Sequence, residues 1–130
     1  MMPLTHILIS AVISIALFPF FSWKVVFLFA AGVFIDIDHY FIYFYRRKDI
    51  NFFKAIEYLK GDPKKFFGVL CIFHSVEILA VLFILSFFSE IALMMFIGIG
   101  VHYVLDMIYE YRRMKKLVKS WSVLAWLKRR

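Results

Sequence analysis

All four histidines of this 130-residue chain, His6, His39, His74 and His102, fall inside otherwise apolar stretches, and so do four acids, Asp36, Asp38, Glu77 and Asp106. Imidazole nitrogens and carboxylate oxygens together form a ligand set for a divalent cation: zinc first, with manganese or iron as alternatives. If the stretches are helical, the spacing suits a shared site. His102 and Asp106 are i,i+4 neighbours, Asp36 and His39 are i,i+3, and so are His74 and Glu77, so each pair shares a helix face. Asp38 fits less easily, because Asp36, Asp38 and His39 spread over about 160° of an ideal helix. Either one aspartate stands behind a histidine and orients it, or the helix is locally distorted there. The candidate metal set is therefore His6, Asp36, Asp38, His39, His74, His102 and Asp106. It exceeds what one tetrahedral ion needs, so one or two cations per chain are expected. Asp38 and Glu77 are also the candidates for a catalytic general base or an orienting carboxylate.

The elements that must position these residues are read from hydropathy. The chain is 64% hydrophobic and 21% aromatic, with 17 Phe, whereas a soluble domain averages about 45–50% apolar residues. That excess excludes a disordered tail, a collagen-like rod and a free soluble enzyme, and it reads as an integral membrane protein. A helix needs roughly 20 predominantly apolar residues to span the hydrocarbon. Four stretches meet or approach this, at about 4–21, 25–45, 66–88 and 91–109. The expected fold is all-α: a single membrane domain over 1–130, built as a polytopic bundle of four transmembrane helices. Pro19 and Ser22 mark the first turn, Ser89-Glu90 the link between the last two spans. No Lys or Arg precedes the first apolar run and no small-residue cleavage site follows it, so it is kept as a span. The lone Cys71 excludes an internal disulfide and reads as a small packing residue, with a soft metal ligand as the alternative.

Charge gives the orientation. The middle segment carries Arg46, Arg47, Lys48, Lys54, Lys60, Lys64 and Lys65. The tail carries Arg112, Arg113, Lys115, Lys116, Lys119, Lys128, Arg129 and Arg130, and only Lys24 lies elsewhere. Positive residues stay on the cytoplasmic side, so the chain is expected in the cytoplasmic membrane, multi-pass, with both termini inside. The net charge of +7 is then topological, and no nucleic-acid partner is expected. Two basic segments, about 50–60 and 112–130, are expected as interfacial amphipathic helices. Their apolar stripes are Phe52, Phe53, Ile56 and Leu59, then Met114, Leu117, Val118, Trp121, Leu124 and Ala125. Gly61-Asp62-Pro63 ends the first of them and turns the chain back towards the third span. Membrane lipids, anionic ones included, are the expected partners; an oligomer is left open.

Depth joins the two lines of reasoning. At about 1.5 Å per residue, His39 lies roughly 10 Å and Asp36 roughly 15 Å from Arg46. By the same rise, His74 lies roughly 14 Å from Lys65 and His102 roughly 15 Å from Arg112. Polar groups from four helices thus fall in one inner-leaflet layer. Each buried acid costs on the order of 2.5–3.5 kcal/mol at a span centre. No Lys or Arg lies within the spans to offset them, whereas a divalent cation does. Hydrogen-bonded packing, a proton or ion pathway and haem ligation by His pairs are the competing uses of such residues.

Thr5-His6-x-Leu8, Asp36-Ile37-Asp38-His39, His74-Ser75, and His102-x-x-x-Asp106 preceded by Gly98 and Gly100, in that order, resemble the membrane-bound metal-dependent hydrolases, the family that includes small inner-membrane proteins described as LexA-binding. The resemblance covers about residues 4–107. It implies the same seven site positions. The sequence departs from it at Phe73 and Ile35, where relatives have Thr and often Pro, and lacks an Arg-Gly ahead of His74. The expected function is a membrane-embedded metal-dependent hydrolase acting on a phosphoester of a lipid or isoprenoid. The alternative is a non-enzymatic protein using the site for metal or proton translocation or for structural metal binding.

Overall fold

An unbroken apolar run forms the first element, α1, Pro3–Phe21. The computed structural model describes residues 3–60, 72–115 and 122–128, and no strand occurs among the described residues. Pro19 lies inside the last turn of α1; the reversal follows it, at the 3-10 turn Ser22–Lys24, where Ser22 adopts a left-handed φ of 51°. From there α2, Val25–Phe34, packs back along α1. The stretch expected as one second span is broken at Ile35-Asp36, and α3, Ile37–Arg47, begins beyond the break. Lys48, with φ 54°, ends α3 by returning its N–H to the Phe44 carbonyl at 2.8 Å. Asn51 then accepts the Lys54 N–H at 3.1 Å and so caps α4, Phe52–Lys60, which packs on α3.

Within the expected third span, the described residues 72–75 form a turn ahead of the next helix. Ser75 accepts the Ile78 N–H at 3.4 Å and caps α5, Val76–Leu85. Residues 66–71 with Cys71, the Gly61-Asp62-Pro63 turn and Lys64-Lys65 lie outside the described residues. Ser89 likewise caps α6, Glu90–Met114, 25 residues long. That helix runs past the expected end at Tyr109 and carries Arg112 and Arg113 before Lys115 turns left-handed with φ 56°. The single tail helix expected over 112–130 is therefore divided: its first residues extend α6, residues 116–121 are outside the described set, and α7, Val123–Leu127, follows. In α4, Ala55 is buried and Phe53 faces outward, 82% exposed.

Two helical runs are long and apolar enough to cross a membrane: Leu4–Arg47, folded back on itself as α1 to α3, and Glu90–Met114. α2 packs between α1 and α6, and α5 packs on α6. Three layers succeed one another along these helices. Near the Ser22–Lys24 turn, Leu28, Met94 and Val25 form an apolar core with Leu17, Phe21 and Ile97 against them. Next comes a close crossing. A Cβ on Gly32 would meet Ser10 Oγ, and one on Gly98 would meet the Leu28 carbonyl oxygen. Only hydrogen fits there, and the backbones of α2 and α6 approach accordingly. Beyond that crossing lies the polar layer.

Candidate metal centre

His102 directs Nδ1 at the Gly32 carbonyl oxygen, 2.8 Å away. A carbonyl only accepts, so Nδ1 carries a proton and Nε2 is the nitrogen turned to the interior of the layer. The second histidine is set the same way. His74 Nδ1 lies 3.2 Å from Asp38 Oδ2, an oxygen that also accepts the Phe73 N–H at 3.2 Å. An ionised carboxylate only accepts, so His74 too donates from Nδ1 and turns Nε2 inward.

These two nitrogens face each other at 3.2 Å. Asp36 Oδ1 completes a triangle with them, 3.4 Å from His102 Nε2 and 3.6 Å from His74 Nε2. Ligands about 2.0–2.1 Å from a tetrahedral zinc stand roughly 3.3–3.4 Å from one another. The triangle has the size of one face of such a shell. Atoms this close share a proton or a cation, and a divalent cation would serve all three at once.

Three more residues surround the triangle. His39 Nε2 is 3.8 Å from Asp36 Oδ1, and Asp106 Oδ2 is 3.9 Å from His74 Nε2. His6 Nε2 is 3.4 Å from Asp106 Oδ1, with its ring stacked on His102 at 3.8 Å and 12°. Donor atoms within 4.8 Å of one another form two groupings: Asp36, His39, His74 and Asp106, and His6, Asp36 and His102. Asp36 belongs to both, as a carboxylate shared by two cations would. His74 and His102 are 1% exposed, His6 2% and Asp106 4%. Both ring nitrogens of His6 and Oδ1 of Asp38 are buried without a hydrogen-bond partner among the described residues. Such donors are costly to bury unsatisfied, and a cation would satisfy them.

Local structure explains the convergence. The break at Ile35-Asp36 resets the helical angle, so that Asp36 reaches the triangle from before α3 while Asp38 and His39 reach it from the first turn. Asp38 stands behind His74 and orients it; distortion and orientation both occur. His74 sits in the turn ahead of Ser75, so it is not on the helix that carries Glu77. The expected shared face of His74 and Glu77 is thereby corrected, because a serine at the N-cap starts the helix after the histidine.

All seven expected metal positions are gathered: six in the two groupings, and Asp38 against His74 and His39. Glu77 is placed elsewhere. Its Oε1 accepts the Ser122 hydroxyl at 2.6 Å and the Leu124 N–H at 3.2 Å, and its Oε2 the Val123 N–H at 3.1 Å. One participant was not anticipated. The Gly32 carbonyl carries no side-chain signal. Glu110, 2% exposed, follows Asp106 by another four residues on α6 at the same helical spacing, outside both groupings. That spacing was legible in the sequence, but Glu110 lay just past the expected end of the span. Comparisons with protein families, curated proteins and solved structures find no match for this chain.

Proposed function

We propose that this chain is a membrane-embedded, metal-dependent hydrolase with four spans, whose His/Asp layer lies in the cytoplasmic leaflet and acts on a phosphoester of a lipid- or isoprenoid-type substrate. The observation that carries the metal reading is the pair of Nε2 atoms facing each other at 3.2 Å beside Asp36 Oδ1. The membrane reading is supported by the two long apolar runs and by outward-facing Phe20, Phe34 and Phe88. The hydrolase reading is supported by the resemblance to the membrane-bound metal-dependent hydrolases and by the chemistry of the donor set.

Asp36, His74 and His102 would hold one divalent cation, zinc in the first instance. His39, Asp106 and His6 would complete its shell or hold a second ion sharing Asp36. A bound divalent cation supplies Lewis acidity to a phosphoryl oxygen and acidifies water. Asp38 keeps the His74 ring in its ligating tautomer through Oδ2. Its other oxygen, Oδ1, is the carboxylate atom left to take a proton from attacking water. Glu77, occupied by α7, is left out of this role. The apolar core of Val25, Leu28 and Met94 closes the layer from the Ser22–Lys24 side, which disfavours a continuous translocation path.

The test is elemental analysis of the purified, detergent-solubilised protein, paired with hydrolysis of a short-chain phospholipid. One or two divalent ions per chain are expected, lost in His102→Ala; turnover is expected to vanish in Asp38→Asn while most of the metal remains at saturating concentration. A protein that binds no metal at neutral pH sinks the reading.

A further inference from the structure

Where α3 meets α4, a cleft of about 510 Å³ is lined by Tyr43, Arg47, Asp49, Lys54, Glu57 and Tyr58. It sets two cations beside two carboxylates and adds two phenol rings. The Tyr43 and Tyr58 rings lie 5.4 Å apart at 55°, and the Arg47 guanidinium carbon lies 5.4 Å from the Tyr58 ring centroid. A guanidinium held over a ring face keeps its in-plane N–H groups directed sideways, as a fork for two oxygens of one phosphate. Lys54 Nζ lies 3.2 Å from Asp49 Oδ2, and Asp49 Oδ1 accepts the Asn51 N–H at 2.9 Å. That N–H first, and the Lys54 ammonium after it, hold the Asp49 carboxyl below the usual carboxylate range. At neutral pH the cleft therefore carries both signs of charge.

Its position relative to the metal centre follows from α3. Tyr43 and Arg47 follow His39 on α3 at i+4 and i+8, on the same face, about 6 and 12 Å further along the axis. A cleft built for a plain anion would not set two carboxylates beside its two cations, because each repels the ligand.

We infer that this cleft binds a zwitterionic phosphate–amine group, with Arg47 and Lys54 on the phosphate oxygens and Glu57 and the tyrosine rings around the ammonium. This goes beyond the hydrolase reading and does not rest on it, because a phosphate held at Arg47 stands about 12 Å along α3 from His39 and is not the one at the centre. A phospholipid headgroup and a soluble aminoalkyl phosphate share the chemistry.

The experiment titrates the full-length protein in detergent, by calorimetry, with dihexanoyl phosphatidylethanolamine, dihexanoyl phosphatidylglycerol and O-phosphoethanolamine. The amine-bearing lipid should bind more tightly than the glycerol one. Arg47→Ala should weaken both lipids by about tenfold, the loss expected when a charged hydrogen-bonding group is removed. Glu57→Gln should weaken the ethanolamine lipid by a similar factor and leave the glycerol lipid unchanged. Tight binding of the lipid alone identifies a membrane headgroup, and equal binding of O-phosphoethanolamine identifies a soluble ester; either supports the inference. Equal affinity for the two lipids, unaltered by Glu57→Gln, overturns it. Metal content measured on the same samples separates the two readings: metal without amine discrimination removes the headgroup inference alone, and discrimination without metal removes the hydrolase reading.

Discussion

Two histidines at the centre are held in one tautomer by acceptors of different kinds, and the difference has a measurable consequence. Gly32 fixes His102 through a backbone carbonyl that no substitution removes, whereas Asp38 fixes His74 through a side chain. Asp38→Asn keeps the shape but removes the charge that makes His74 Nε2 a strong donor and permits the amide to donate instead of accept. Metal affinity should fall about 10–100-fold, as for other carboxylates standing behind ligating histidines. Competition with a chromogenic chelator measures this, and unchanged helicity by circular dichroism separates it from unfolding. An affinity equal to that of the unaltered protein would leave Asp38 without an orienting role. At this scale the residue types were legible in the sequence. Histidines and aspartates stand out against 64% hydrophobic residues because burying them is costly. Which oxygen of Asp38 bonds which nitrogen was not, since Asp38 and His74 are 36 positions apart.

At the scale of elements, the close crossing of α2 and α6 sets where those residues land. Gly98 is four residues before His102, and Gly32 supplies the carbonyl that His102 bonds. The two glycines nevertheless differ in what opposes them. A Cβ on Gly98 meets the Leu28 carbonyl, which belongs to the backbone, while a Cβ on Gly32 meets the rotatable hydroxyl of Ser10. Gly98→Ala should therefore push the helices apart, costing about 1–3 kcal/mol or more as overpacking does, and should lower metal occupancy with it. Gly32→Ala should cost less, and Ser10→Ala combined with it should restore part of the loss. Thermal unfolding monitored by circular dichroism ranks the variants; an equal effect of both would contradict the asymmetry. Hydropathy periodicity located the helices but not their ends. The N-caps Ser75 and Ser89 and the left-handed Lys48 and Lys115 decide those, and each depends on one residue, a side-chain hydroxyl for the serines and the backbone for the lysines, rather than on a repeating pattern.

At the scale of the whole molecule, two polar links join parts distant in sequence. Lys24 pairs with Glu90, tying the first turn to the start of α6, though both are partly exposed and such a pair contributes about 0–1 kcal/mol. Glu77 is the larger fastening, holding Ser122 and the first backbone N–H groups of α7 against α5. Glu77→Ala should release the tail, seen as faster cleavage by limited proteolysis in the tail, with metal content unchanged. Loss of metal in that variant would place Glu77 in the centre after all. The sequence by itself determined the helical class, the chemical set of the site and the gathering of that set into one layer, because helical spacing and the cost of buried charge are local and additive. Only the tertiary structure decided the triangle of Nε2 and Oδ1 atoms, the break that brings Asp36, Asp38 and His39 to bear together, and the diversion of Glu77 to the tail. Those depend on contacts such as His102 to Gly32, 70 positions apart, whose geometry is fixed by how closely the helices pack and not by any pattern along one of them.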